Sequence, residues 1–278
     1  MKFKRSLNKE MKWGCAILSI YILWGLGWFV YSAFIKGTPL MPYTPELSMK
    51  HELLAPGDQS FLLGTDLYGR SIFEVLSAGL VYSLGIGFLV SSSAISIGVV
   101  IGYLSAVGPR ALRFSTDILT NIIFVFPSIL IAIMVMSVTG QSIKGLVFAL
   151  VITGWPGYAR IARGETFRVM GLSYVESAKA IGVGNLRLFL KIVIPDILPQ
   201  MLIHFVLGLS GVIISEAALG FLGLGGSEFS WGALLSDAKL VLLEAPHMTV
   251  FLSLSMAGLI IGLNLLGDGL RDYLDPKS

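Results

Sequence analysis

Residues 160–199 read RIARGETFRVMGLSYVESAKAIGVGNLRLFLKIVIPDILP, a long polar interruption between apolar runs late in this 278-residue chain. The stretch predicts two short helices around one hinge. Ser173 followed three residues later by Glu176 has the spacing of a capping box, in which the hydroxyl takes a free N–H of the first turn and the carboxylate reaches back. Gly182 and Gly184 tolerate a left-handed backbone and end that helix; Asn185 can cap the next, and Pro195 and Pro199 limit it. The first helix carries short side chains at Ser177, Ala178 and Ala180, with apolar edges at Tyr174, Val175 and Ile181. Short side chains let a helix approach a groove closely and leave few rotamers to freeze on binding, so by shape this is a docking element.

Around that hinge the chain is far too apolar for a soluble domain. Hydrophobic residues make up 55%, charged residues 13%, and the mean hydropathy is +0.81, against a charged fraction of about 25% in soluble proteins. The chain therefore reads as an all-α membrane protein with room for about six spans. Trp13–Ile35 is uncharged between Lys12 and Lys36 and is too long for a signal-peptide core, so it is expected to be a retained first span. The second uncharged run covers 75–109 and carries Gly85, Gly87, Gly98 and Gly102, which predict close helix contacts. Asp117–Lys144 brackets the third run, with Asn121 near its start and Pro127 inside it. The carbonyl freed by that proline must find a partner or line a cavity. The fourth run, 145–159, is short and must borrow Lys144 and Arg160, whose long stems reach the interface. The fifth covers 197–215, carrying His204 and ending against Glu216; a glycine-rich, aromatic run and a loop to Pro246 follow; the sixth lies within 247–267.

Glu176-Ser177-Ala178, three residues, Gly182, nine residues, then Ile192-Val193-Ile194-Pro195 resembles the EAA loop of the membrane subunits of ATP-driven bacterial importers. Ser177 and Ile194 depart from that pattern by small changes of volume. Phe61–Arg70, FLLGTDLYGR, resembles the signature before the second span in the dipeptide, oligopeptide and nickel branch of these permeases, and so do the stretch from Glu216 and the chain end GDGLRDYLDP. Within the signature Gly64 and Gly69 permit tight turns, Thr65 and Asp66 can cap a helix, and Asp66 and Arg70 are spaced to pair, a solvated turn being the alternative.

The resemblance implies the six-helix fold of a type I importer permease. Residues 1–79 would form the tail, first span and outer loop, and 80–278 a five-helix core with the loop at 160–199. It implies that the loop seats in a separate ATPase, with Ser173, Tyr174, Glu176, Ser177, Ala178, Gly182, Ile192 and Pro195 making the junction: Glu176 pairing with a basic residue, Ala178 permitting close seating and Gly182 setting the angle. The implied partners are a second permease, giving a heterodimer, one or two ATP-binding cassette ATPases and an extracytoplasmic binding protein, in a bacterial or archaeal inner membrane. Cargo is implied to be di- or oligopeptides, the alternatives being nickel or another small solute. A non-transporting membrane anchor is the rival from another class, and it leaves the EAA spacing unaccounted for.

The residues themselves add limits. With six spans, fifteen of the twenty Lys and Arg fall on the side of both termini and the loop, which makes that side cytoplasmic. The sequence contains no G-x-x-x-x-G-K-[ST] phosphate loop, so no nucleotide site of its own is expected. One cysteine and three histidines without an H-E-x-x-H pair leave no metal or cofactor set, and nothing points to nucleic acid. His204 is expected to be a satisfied interface residue, with a translocation role as the alternative. Glu216 is expected at the interface, capping the glycine turn, with a pathway or outer-gate role as the alternative, because a carboxylate in a span is costly unless paired, wet or protonated.

Overall fold

Among the described residues every regular element is helical. The computed structural model describes residues 8–34 and 51–274, so the start of the tail, Pro39, Pro42 and Pro45 and the last four residues lie outside it. Ten helices follow in order: α1 (Lys9–Phe34), α2 (Ile72–Val107), α3 (Arg110–Val125), α4 (Ser128–Thr139), α5 (Ile143–Met170), α6 (Ser173–Ala180), α7 (Asn185–Leu188), α8 (Ile194–Phe221), α9 (Trp231–Leu240) and α10 (Pro246–Leu274). Five continuous helical stretches, α1, α2, α5, α7–α8 and α10, are long and apolar enough to cross a bilayer.

The direction of each span follows from which residues meet. Along α2 and α5, a Cβ on Gly154 would lie 3.5 Å from Ala94, one on Gly98 2.5 Å from Tyr158, and one on Gly102 2.8 Å from Ala162. Both numbers rise together in steps of four, so the two helices run parallel, packed through small residues at the spacing that brings membrane helices close. Gly87 is likewise closed, by Leu209 and Ile213 of α8, whereas Gly85 faces open space. Three of the four glycines expected at contacts are there. Along α1 and α10 the pairs Met11–Gly269, Gly14–Leu266 and Tyr21–Gly258 run in opposite order. Residues 8 and 272 are joined by a hydrogen bond from Asn8 Nδ2 to Asp272 Oδ2, so the described chain starts and finishes at one end of the bundle.

Parallel α2 and α5 require the chain to return across the bilayer between them. That return is made by α3 and α4, bent by 94° within the stretch expected to form one span. Pro127 lies in the break with ψ of 126° and the preceding Phe126 is extended, because the proline ring disfavours helical backbone at the residue before it. At 1.5 Å per residue the two arms are about 24 and 18 Å long, so joined at a right angle they reach about 30 Å, the hydrocarbon thickness. Counting the bent pair as one crossing, the described residues make six.

Two other expectations change. The fourth span is no short helix: α5 continues about 15 Å past its uncharged run, carrying Arg160, Arg163 and Arg168 beyond the apolar part. The second helix of the hinge is not limited by Pro195 and Pro199. It continues through a π turn, Phe189–Val193, into α8. Wider i→i+5 bonding immediately before Pro195 is one way for a helix to pass a residue with no N–H to give. Where a loop to Pro246 was expected there is α9, started by Ser230, whose hydroxyl accepts the N–H of Ala233 at 3.2 Å. The boundary between 79 and 80 falls inside α2, and α1 packs along α10.

Candidate functional site: the α6 elbow, the α5–α8 cleft and the 64–70 cap

The elbow begins where α5 ends, two residues before α6. Leu172 occupies the cap position of α6, accepting the N–H groups of Val175 and Glu176 at its carbonyl, and Ser173 is already helical with no side-chain cap bond. The capping box is therefore not formed. Leu172 and Val175 both pack on an apolar cluster with Val169, Leu188 and Val193, and that anchorage outweighs one exposed hydroxyl cap worth about 1 kcal/mol. Ser177 donates its hydroxyl to the Ser173 carbonyl at 3.0 Å.

The far end of α6 closes as a Schellman turn. Gly182 N–H donates to Lys179 O at 2.9 Å and Val183 N–H to Ala178 O at 3.1 Å, with Gly182 at φ 87°. Gly184, by contrast, is extended at φ −69° and is itself the cap of α7; Asn185 is the first helical residue and its side chain caps nothing. Its carbonyl accepts the Tyr103 hydroxyl at 2.8 Å, while the Tyr103 ring lies 4.4 Å from that of Phe189, tying the elbow to α2.

One side of α6 thus belongs to the bundle and the other to the exterior. Val175 is fully buried, Ala178 and Ile192 are half-buried in the same cluster, and Tyr174, Glu176, Ser177, Ile181, Gly182 and Pro195 are exposed. Ile181 is 83% exposed and Leu186 71%, an apolar rim at the tip of the elbow. Glu176 has no ion-pair partner among the described residues.

Above the elbow the last third of α5 is bound to both of its neighbours by arginines. Arg163 pairs with Asp117 of α3, Arg160 donates to Asn121 Oδ1 at 3.3 Å and lies 4.5 Å over the Phe124 ring. Arg168 reaches both Glu165, at 2.7 Å, and Asp196 of α8, at 3.1 Å. Asn121 therefore sits in a charged clasp, a role its isolated polarity did not announce.

Between α5 and α8 lies an open cleft of about 470 Å³. Gly154, Gly157, Gly208 and Gly211 bare its backbone, Ser128, Thr153 and Ser215 supply hydroxyls, and His204 is there too, sharing a 3.3 Å hydrogen bond with Gln200. His204 thus both has its partner and faces the cleft. Pro127, the residue before Ser128, is not among the residues that line it. Glu216 does not line the cleft and does not cap the glycine turn, which closes through Gly223 and Leu224 N–H groups on Gly220 and Leu219. It is 1% exposed inside α8, its Oε2 accepting the Ser83 hydroxyl of α2 at 3.1 Å, with Ser230 before α9 as its second hydroxyl neighbour. It ties three elements together at the end opposite the elbow.

At that same opposite end residues 64–70 form a buried cap in place of a solvated turn. Asp66 and Arg70 are 1% and 4% exposed and pair at 2.6 Å. Asp66 Oδ1 also accepts the N–H groups of Tyr68 and Arg70, at 2.9 and 2.8 Å. Neither Thr65 nor Asp66 caps α2, which starts after Ser71. The Thr65 hydroxyl instead accepts the Leu54 N–H at 2.8 Å and donates to the His51 carbonyl, stitching the loop to its own start. Gly64 (φ 80°) has room for no side chain, a Cβ there lying 2.9 Å from His247 Nε2, and Gly69 turns the chain at φ 72°. The Arg70 guanidinium lies 4.6 Å from the Tyr68 ring and 5.5 Å from that of Phe229, just before α9. Burial raises the pKa of Asp237 on α9; nearby Arg70 opposes the shift, and Asp66 and Glu228 add to it.

Residues 98–278 match the family described as binding-protein-dependent transport system inner membrane component. The chain is 34% identical over 249 residues to the glutathione transport system permease protein GsiD of Pectobacterium atrosepticum, covering 86% of this chain and 80% of that relative. The protein of the same name from Shigella sonnei gives the same identity and coverage. Among solved structures, the MetNI methionine ABC transporter in an inward-facing conformation superposes with a TM-score of 0.58 at 17% identity, over 72% of this chain and 97% of that chain, a likeness of fold.

Proposed function

The chain belongs to the family of binding-protein-dependent transport system inner membrane components, and from that premise we propose that it carries short peptides inward through the α5–α8 cleft while α6 takes the stroke of a separate ATPase. It is a multi-pass inner-membrane permease subunit of an ATP-binding cassette importer with the type I fold, and ATP hydrolysis belongs to other subunits. Its partners include those ATPases and a substrate-binding protein.

The observation that carries the coupling reading is the two-sided α6: Val175 is fastened to the bundle while Tyr174, Glu176 and Ile181 are turned outward at the end where the described chain starts and finishes. In this reading Glu176 pairs with a basic residue of the ATPase, Ser173, Ser177 and Gly182 let it approach, and Ala178, Ile192 and Pro195 set the elbow on its base. That end faces the cytoplasm, as the excess of Lys and Arg there supports. A second, non-identical permease completes the pathway, α2–α10 forming the transport core. The capped 64–70 segment, with Gly64, Thr65, Asp66, Gly69 and Arg70, holds the outer end where the binding protein delivers cargo.

Peptides suit the cleft because, beside the aliphatic Leu150, Ile161, Leu207 and Val212, its lining offers hydroxyls, bare backbone and one imidazole with no fixed charge. Such a surface hydrogen-bonds a zwitterion without selecting one side chain. GsiD is named for glutathione transport, and a tripeptide of that size is the first cargo to test. Uptake of labelled dipeptide, glutathione and a nickel chelate is to be compared in a deletion strain complemented with the parent or with Gly182→Asp. Peptide or glutathione uptake that the parent restores and Gly182→Asp abolishes, with equal membrane insertion, is expected. Uptake of the nickel chelate alone would overturn the cargo, and normal uptake by Gly182→Asp would overturn the coupling role of α6.

A further inference from the structure

We propose that the inner third of α5 is a lever whose arginines grip the elements on either side, Arg160 and Arg163 holding α3 and Arg168 holding α8, so that displacement of α6 is passed to the broken span and to the wall of the cleft. This rests on the reading of α6 as the element the ATPase moves. Only Gly171 and Leu172 separate α5 from α6, and the join is hydrogen-bonded to both: Gly171 N–H donates to Arg168 O at 3.3 Å and Leu172 N–H to Val169 O at 3.0 Å, while the Leu172 carbonyl accepts the Val175 N–H of α6 at 2.9 Å. A push on the elbow therefore reaches α5 with little slack.

What α5 then moves depends on how its neighbours are attached. Its contact with α2 is a packed seam of small residues, at Gly98 and Gly102, that leaves no play. Its contact with α3 is different in kind. Of α3 only Thr116 and Thr120 are buried, and the attachment is a row of polar rungs: Asp117 to Arg163, Asn121 to Arg160, and Phe124 under the Arg160 guanidinium. Residues 117, 121 and 124 share one face of α3, and their partners run in the opposite order along α5, so one rigid arm is held at successive points. The far end of that arm is the 94° break at Pro127, beside Ser128 of the cleft. A half-exposed ion pair contributes little to stability and is readily broken and remade. Such rungs can release where an apolar seam cannot, and they make Asp117, Asn121, Arg160 and Arg163 positioning residues for transport. Arg168 with Asp196 ties α5 in the same manner to α8, the other wall.

The test is charge exchange in the whole complex, the chain assembled with its second permease and ATPase subunits in nanodiscs. Two readouts need no cargo: ATP hydrolysis, and the distance between spin labels at Ile118 on α3 and Val100 on α2 with and without ATP and vanadate, in a Cys15→Ser background. In the parent the distance is expected to shift on trapping. Asp117→Arg or Arg163→Asp alone should abolish that shift and change hydrolysis roughly tenfold, within the usual span of coupling between sites. Asp117→Arg with Arg163→Asp should restore both. If the reversals do not assemble, Asp117→Asn carries the same expectation. Single variants that move like the parent, or an exchange that assembles without restoring movement, would overturn the lever while leaving α6 untouched. A parent chain that binds no ATPase would remove the reading of α6, and the lever with it.

Discussion

At the scale of single residues the deciding quantity is burial. Asp66 and Arg70 are paired out of water at 1% and 4% exposure, whereas Arg163 and Asp117 are 24% and 46% exposed. Removing one charge of a buried pair strands the other, at a cost of about 3–5 kcal/mol, while a half-exposed pair contributes less than about 1 kcal/mol. Asp66→Asn is therefore expected to lower the thermal unfolding midpoint of the detergent-purified chain strongly, and Asp117→Asn to leave it nearly unchanged; equal midpoints would refute the burial argument. The pairing of Asp66 with Arg70 was legible from their four-residue spacing, but its burial was not, because the groups that cover it, Phe229 and α9, come from more than 150 residues later. His204 and Glu216 show the same limit. Both were visible as polar groups in an apolar run, and only the packing of α8 against α5 and α2 decides that one faces the cleft while the other bridges helices at Ser83.

Elements were legible where composition alone decides them and illegible where a neighbour does. Uncharged runs located all the spans, and the Gly182 turn was readable because a positive φ favours glycine. The capping box failed because Leu172 and Val175 have a cluster to pack on, which the local pattern cannot reveal. The π turn before Pro195 and the right-angle break at Pro127 both mark prolines, yet one helix passes through and the other ends: wider bonding over Phe189–Val193 absorbs Pro195, whereas Phe126 before Pro127 is extended. α9 was hidden in a glycine-rich stretch although Ser230 ahead of an apolar run is a cap signal. The α2–α5 seam yields a comparison within one helix. Gly98→Leu must overlap Tyr158 and is expected to cost about 1–3 kcal/mol, read as a lower unfolding midpoint, whereas Gly85→Leu enters open space and should be tolerated. Equal behaviour of the two would mean that α2 and α5 do not pack in this register.

Across the whole molecule the two ends have distinct tasks. One gathers the start and finish of the described chain, the α6 elbow and the arginine clasps; the other holds the buried 64–70 cap, α9 and the Glu216 junction. The six-crossing path between them was readable from hydropathy, and the parallel run of α2 and α5 supplies the geometric reason for the sixth crossing, since α3 and α4 must carry the chain back. Cargo is the part least written in the residues, because a cleft of aliphatic side chains, glycine backbone, hydroxyls and one imidazole specifies a kind of chemistry and no single molecule. Coupling requires the elbow to face the compartment that holds ATP. The most direct measurement is labelling of single cysteines with a membrane-impermeant thiol reagent in a Cys15→Ser background, one at Ile181→Cys in the elbow, 83% exposed, and one at Leu243→Cys at the opposite end, 96% exposed. Intact cells are expected to label position 243 and to leave position 181 unreacted until the membrane is opened; reaction at 181 with 243 protected would contradict the coupling role of α6.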